Sequence, residues 1–73
     1  MLGWGRRFRH GNRVAQKVGE EGVELALAGA AQGEDKVIGE SADLLFHMLV
    51  LLRARGVSLS QVVRQLESRH QPR

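Results

Sequence analysis

Two groups of acidic residues stand either side of a single break, and this mirrored arrangement constrains the fold more than any other feature. The first group is Glu20, Glu21 and Glu24; the second is Glu40 and Asp43; the break is Ala31-Gln32-Gly33. Within each group the acids recur at three or four residues, the spacing at which helical side chains share a face. Glu24 and Glu40 each lie eight residues from Gln32, so a helical hairpin folded there brings them level. Glu20 and Glu21 then come roughly level with Asp43. The hairpin would set four or five carboxylates facing one another between two helices.

Such a cluster is unfavourable by itself. Two unit charges about 4 Å apart repel by about 4 kcal/mol at an effective dielectric near 20. Either protons or a cation must compensate. Carboxylate-only ligation in a chain with no cysteine favours a hard ion, Mg²⁺ or Mn²⁺, over zinc. The competing reading is a solvated helix face. Asp43 argues against it, being set among Ala42, Leu44, Leu45 and Phe46, because an acid inside an apolar run is seldom plain surface.

Around this pair of segments the periodicity predicts an all-α fold: an antiparallel helical hairpin plus a third helix. The first helix is expected from Asn12, as N-cap, to Ala31. Its apolar stripe is Val14, Val18, Leu25 and Ala28, with Glu21 on the same line, while Val23 and Leu27 point the opposite way. Gly19 and Gly22 lower its helix propensity by about 1 kcal/mol each, which suits close approach of a neighbouring helix or room for a ligand. Gly33 is expected as the left-handed residue closing this helix. The second helix is expected from Asp35 to Arg55, with Glu40, Asp43 and His47 on one narrow arc. Nearly everything else from Val37 to Leu52 is apolar, so this helix is expected at the centre, buried almost all round. Gly56 stops it. Ser58-Leu59-Ser60-Gln61 reads as a capping box opening a third helix whose inward stripe is Leu59, Val62, Val63 and Leu66, ending near His70 and Pro72.

The domain is assigned to residues 12–70, preceded by a basic Gly/Arg-rich arm at 1–11 and followed by a tail at 71–73. The arm carries Arg6, Arg7 and Arg9 with Trp4 and Phe8, a pattern that also fits single-stranded nucleic acid, although a solvated arm is the commoner meaning. Seventy-three residues without cysteine build a small core with no disulfide staple. A 42% apolar content therefore points to assembly as a homodimer or higher oligomer, completing a helical bundle. The longest apolar run, Met48 to Leu52, is too short to span a bilayer, and the composition is consistent with a cytoplasmic protein.

The ordered pattern is Glu-Glu-x-x-Glu, fifteen residues, then Glu-x-x-Asp. With its neighbours Lys17-Val18-Gly19 and Leu44-Leu45-Phe46-His47-Met48-Leu49-Val50-Leu51-Leu52, it closely resembles the phosphoribosyl-ATP pyrophosphatase family of histidine biosynthesis, within the all-α nucleotide pyrophosphatase (MazG-like) superfamily. Val57-Ser58-Leu59 and Leu66-Glu67-Ser68-Arg69-His70 point to the same branch, and the resemblance covers Asn12 to His70. It implies Mg²⁺ held by Glu21, Glu24, Glu40 and Asp43, with Glu20 touching the ion or taking a proton from water. It implies hydrolysis of phosphoribosyl-ATP between its α and β phosphates, giving phosphoribosyl-AMP and pyrophosphate. Lys17 is a candidate for phosphate contact or catalysis, and equally an ion-pair partner on its own helix. Arg13 is a weaker substrate-binding candidate. His47 either touches substrate or orders an acid, the buried, hydrogen-bonded role being commoner. The chain departs from the family at its start, where members usually carry a further helix that contributes to dimer and substrate pocket. Two alternatives remain: a house-cleaning nucleoside triphosphate pyrophosphatase of the same fold, and a non-enzymatic helical dimerisation or nucleic-acid-binding module. The latter needs only composition and is disfavoured.

Overall fold

The computed structural model describes the backbone of residues 9–70 and the side chains of residues 13–70. Those residues form three helices, α1 (Arg9–Ala31), α2 (Glu34–Ala54) and α3 (Leu59–Arg69), and no strand. Residues 1–8 of the arm expected at 1–11, with Trp4, Phe8, Arg6 and Arg7, and the tail at 71–73 lie outside the described residues, while residues 9–11 are helical.

Helix α1 is described from Arg9, three residues ahead of the expected Asn12. Each residue added to an existing helix gains a backbone hydrogen bond for little further entropy, and this outweighs the capping preference of a single asparagine. Its inner face is the one the periodicity predicts. Val14, Val18 and Leu25 are half-buried, Ala28 is fully buried, and Glu21 is buried to 6% exposure among them. Val23 and Leu27 are exposed on the other side.

The turn to α2 is tighter than expected, and Gly33 has a different role. Gln32 closes α1 by donating to the Ala28 carbonyl at 2.9 Å, and the Gly33 carbonyl already accepts from Lys36 and Val37. Gly33 therefore caps α2 in extended backbone, φ −77° and ψ 168°, rather than ending α1 in the left-handed region. With so few residues between the helices, the one that leaves α1 must also open α2, and an N-cap needs extended geometry. Glu34 and Asp35 in the first turn of α2 complement its dipole.

Helix α2 ends as the sequence predicts. Gly56 has φ 71°, a conformation that costs a residue with a Cβ roughly 1–2 kcal/mol. The capping box also forms: Gln61 N–H donates to Ser58 Oγ at 3.2 Å and Ser58 N–H donates to Gln61 Oε1 at 2.8 Å.

Packing departs from expectation in two places. Helix α2 packs on α1 along one face only; Ile38, Leu45 and Phe46 are 60%, 49% and 61% exposed, so within one chain it is not buried all round. Helix α3 makes little contact with the hairpin, and its stripe is exposed at Leu59, Val63 and Leu66, with Val62 half-buried. Three helices cannot enclose so much apolar surface when the third stands off. The Cα radius of gyration, 14.6 Å, exceeds the roughly 11 Å of a compact chain of this length. Of the two readings of Gly19 and Gly22, close helix approach is not seen among the described residues, since a Cβ at either would meet nothing within 4 Å.

Candidate functional site

The hairpin brings the acids of α1 and α2 to one margin of their interface, where they form two pairs rather than one cluster. The first pair is Glu24 and Glu40, level across the turn as the spacing predicts. Glu24 holds its proton more tightly than an ordinary carboxyl, chiefly because a proton there can be shared with the facing Glu40 carboxylate, whose charge it also meets; Glu21 adds to the repulsion and Lys17 opposes it. Glu40 Oε1 is buried with no hydrogen-bond partner among the described residues, while Lys36 Nζ stands 3.7 Å from Oε2. Glu24, Leu27, Gln32, Lys36 and Glu40 line a pocket of about 180 Å³. A buried carboxylate oxygen without a donor is costly. Either a proton on Glu24 or a cation between the two groups resolves it.

The second pair is Glu21 and His47. His47 Nδ1 lies 2.7 Å from Glu21 Oε1 and 3.1 Å from the Asp43 carbonyl. Both are acceptors, so Nδ1 carries the hydrogen and donates to both. The Phe46 ring meets the imidazole edge-on, with centroids 5.0 Å apart. Of the roles open to His47, ordering an acid is the one this geometry displays: the ring fixes Glu21 at the floor of the acidic margin.

The remaining candidates stand further out. Asp43 is exposed, and its apolar neighbours Leu45 and Phe46 are exposed with it, so sitting in an apolar run does not bury it in a single chain. Glu20 is exposed and engaged on its own helix, accepting from Gln16 Nε2 at 3.2 Å and lying 3.9 Å from Lys17 Nζ. Lys17 thus makes the ion pair weighed above, and Arg13 is exposed two turns N-terminal to Glu20. Among the described residues, no three carboxylate or imidazole side chains converge as a ready metal cage. Glu24 and Glu40, with the orphaned Oε1 between α1 and α2, nevertheless fit two ligands of a hard divalent ion. Sequence reasoning missed Lys36, although its i,i+4 relation to Glu40 was readable. A shallower groove of about 460 Å³ between the end of α2 and the start of α3 is lined by Leu49, Leu52, Val57 and Leu59 among others, and no acid lines it.

The family profile described as phosphoribosyl-ATP pyrophosphohydrolase matches residues 5–70. The chain belongs to this family. The match extends the resemblance seen in the sequence seven residues towards the N-terminus. The histidine biosynthesis bifunctional protein HisIE of Xanthomonas campestris pv. campestris is 67% identical over 58 residues, which are 80% of this chain and 28% of that protein. The HisIE protein of Vibrio cholerae is 53% identical over 58 residues, with the same shares. The phosphoribosyl-ATP pyrophosphatase of Pyrobaculum calidifontis is 53% identical over 58 residues, 80% of this chain and 62% of that protein. The chain thus spans about 28% of the length of the bifunctional relatives. No solved structure was found to match. Among the described residues, no helix is long and apolar enough to cross a membrane.

Proposed function

We propose that this member of the phosphoribosyl-ATP pyrophosphohydrolase family hydrolyses phosphoribosyl-ATP to phosphoribosyl-AMP and pyrophosphate, the second step of histidine biosynthesis, with Mg²⁺ or Mn²⁺ held by Glu21, Glu24, Glu40 and Asp43. The observation that carries the reading is the Glu24–Glu40 pair with its unpartnered buried oxygen. It is a site of concentrated negative charge, and a divalent ion bringing triphosphate oxygens would balance it. When bound, the ion supplies charge neutralisation and a more acidic water. The chain's own residues hold and orient. Glu24 and Glu40 are set by the register of the hairpin, and Glu21 is held by the His47 N–H. Asp43, one turn before His47, is exposed and would turn its carboxylate inward to complete the set. Glu20, paired with Lys17, would take a proton from water, and Lys17 and Arg13 would offer positive charge to phosphate.

The exposed apolar faces of α2 and α3 support assembly as a homodimer or higher oligomer, which would also cover the flank beside Asp43. The nucleic-acid alternative drew on an arm outside the described residues, and a cytoplasmic location fits the biosynthetic role.

The test is pyrophosphate release by the purified chain with Mg²⁺, from phosphoribosyl-ATP and separately from ordinary nucleoside triphosphates. Release from phosphoribosyl-ATP, falling roughly a hundredfold in Asp43→Asn, is expected. Release from ordinary triphosphates alone would move the chain to the house-cleaning class. Release indifferent to Asp43→Asn and to chelator would overturn the mechanism.

A further inference from the structure

We propose that Lys36 is a tethered counter-cation that competes with the divalent ion for Glu40 and so sets how tightly the site holds metal. The inference rests on reading Glu24 and Glu40 as metal ligands. Lys36 Nζ is 3.7 Å from Glu40 Oε2, and its side chain is 64% exposed against 15% for Glu40. It shares the pocket of about 180 Å³ with both acids. The local rules of helix formation argue against a lysine here. Lys36 is the third residue of α2, where the helix dipole favours acids and disfavours a cation. A lysine four residues ahead of a glutamate is also the weaker order for a helical ion pair. What the position offers is the negative charge of Glu24 and Glu40, which an ammonium at the pocket mouth offsets.

A divalent ion entering beside Glu40 meets that ammonium as a like charge and a rival for the same carboxylate. The lysine arm is exposed enough to swing into solvent, so the site opens at small cost. A pair whose ammonium stands largely in solvent is weak, which scales the effect to a few-fold. Two consequences have opposite signs. Removing the ammonium strengthens metal binding, because the ion no longer displaces a competitor. It also weakens the metal-free fold, because the repulsion between Glu24 and Glu40 loses its internal counterweight. Both effects shrink as salt screens the charges.

The experiment titrates the chain with Mn²⁺ alone, following free Mn²⁺ by electron paramagnetic resonance at low ionic strength. It compares wild type, Lys36→Met, Lys36→Arg and Arg64→Met, the last removing an equal charge from α3. Melting without metal is recorded for each. The expected result is a Kd about two- to five-fold tighter in Lys36→Met, with a lower metal-free Tm. Lys36→Arg should stay near wild type, and Arg64→Met should leave the Kd unchanged. Equal Mn²⁺ affinity in wild type and Lys36→Met, or an equal gain in Arg64→Met, overturns the competition while leaving the metal site standing. A folded wild type that binds no Mn²⁺ overturns the metal reading and the competition together.

Discussion

At the scale of single residues the site is a balance between two pairs, and each pair predicts a separable outcome. Glu24 carries a raised pKa in the folded chain. Its folded state therefore binds protons more readily than the unfolded chain, and the stability this contributes is present at low pH and lost as pH rises through the raised value. Replacing Glu24 by Gln should raise the metal-free Tm once pH exceeds the ordinary carboxyl value of 4.5, and have little effect below it. The same variant should lose Mg²⁺-dependent turnover. Melting curves across pH check the first half, and an unchanged Tm at neutral pH would count against it. His47 works in the other direction. Its Nδ1–H satisfies Glu21, which is 6% exposed. His47→Ala leaves that acceptor without its donor and should cost about 2 kcal/mol in denaturant unfolding. It should also weaken metal binding by roughly 10- to 100-fold through the loosened ligand. A loss of turnover with stability and metal affinity unchanged would place His47 against substrate instead.

At the scale of elements, the parts set by local chemistry were legible in the sequence and the parts set by packing were not. The register of α1 against α2 followed from counting to Gln32, because a two-helix hairpin with so short a turn has little choice of alignment. The Ser58 capping box and the Gly56 stop followed from side-chain and backbone chemistry within four residues. Gly33 was assigned the wrong conformation because the turn is shared: the next helix, not the previous one, fixes its φ and ψ. Asp43 was read as inward because its neighbours are apolar, but that inference holds only where the apolar residues are themselves covered. The convergence of Glu24 and Glu40 was legible, whereas the pairing of Glu21 with His47 required the rotamer and depth that only packing supplies. Two substitutions test this level. Gly56→Ala should destabilise by about 1 kcal/mol through backbone strain alone, since a Cβ there would meet nothing within 4 Å. Gly29→Ala, in the last turn of α1 and equally uncrowded, should stabilise by up to about 0.5 kcal/mol. Denaturant midpoints for both check the signs, and a destabilised Gly29→Ala would reveal a neighbour at that face from a second chain.

At the scale of the whole molecule, the described residues bury little apolar surface. Ala28 is the buried apolar residue of the core, and no large side chain is fully buried among the described residues. Fully burying a side chain such as Leu45 or Phe46 is worth roughly 1.5–3 kcal/mol each, and α2 leaves a row of them in water. Sedimentation equilibrium should therefore find a dimer or larger assembly, and Phe46→Glu should shift it towards monomer; a monomer at all concentrations would contradict the assembly. The claim on which the function depends is narrower: that the hairpin forces Glu24 and Glu40 together strongly enough to need a divalent ion. The most direct measurement is the Tm of the chain as Mg²⁺ is added at neutral pH, in wild type and in Glu40→Gln. A ligand bound only by the folded state stabilises it by about 2.7 kcal/mol at a hundred times its Kd, so the wild-type Tm should climb with Mg²⁺ and that of Glu40→Gln should not. A wild-type Tm that ignores Mg²⁺, or an equal climb in both chains, would contradict it.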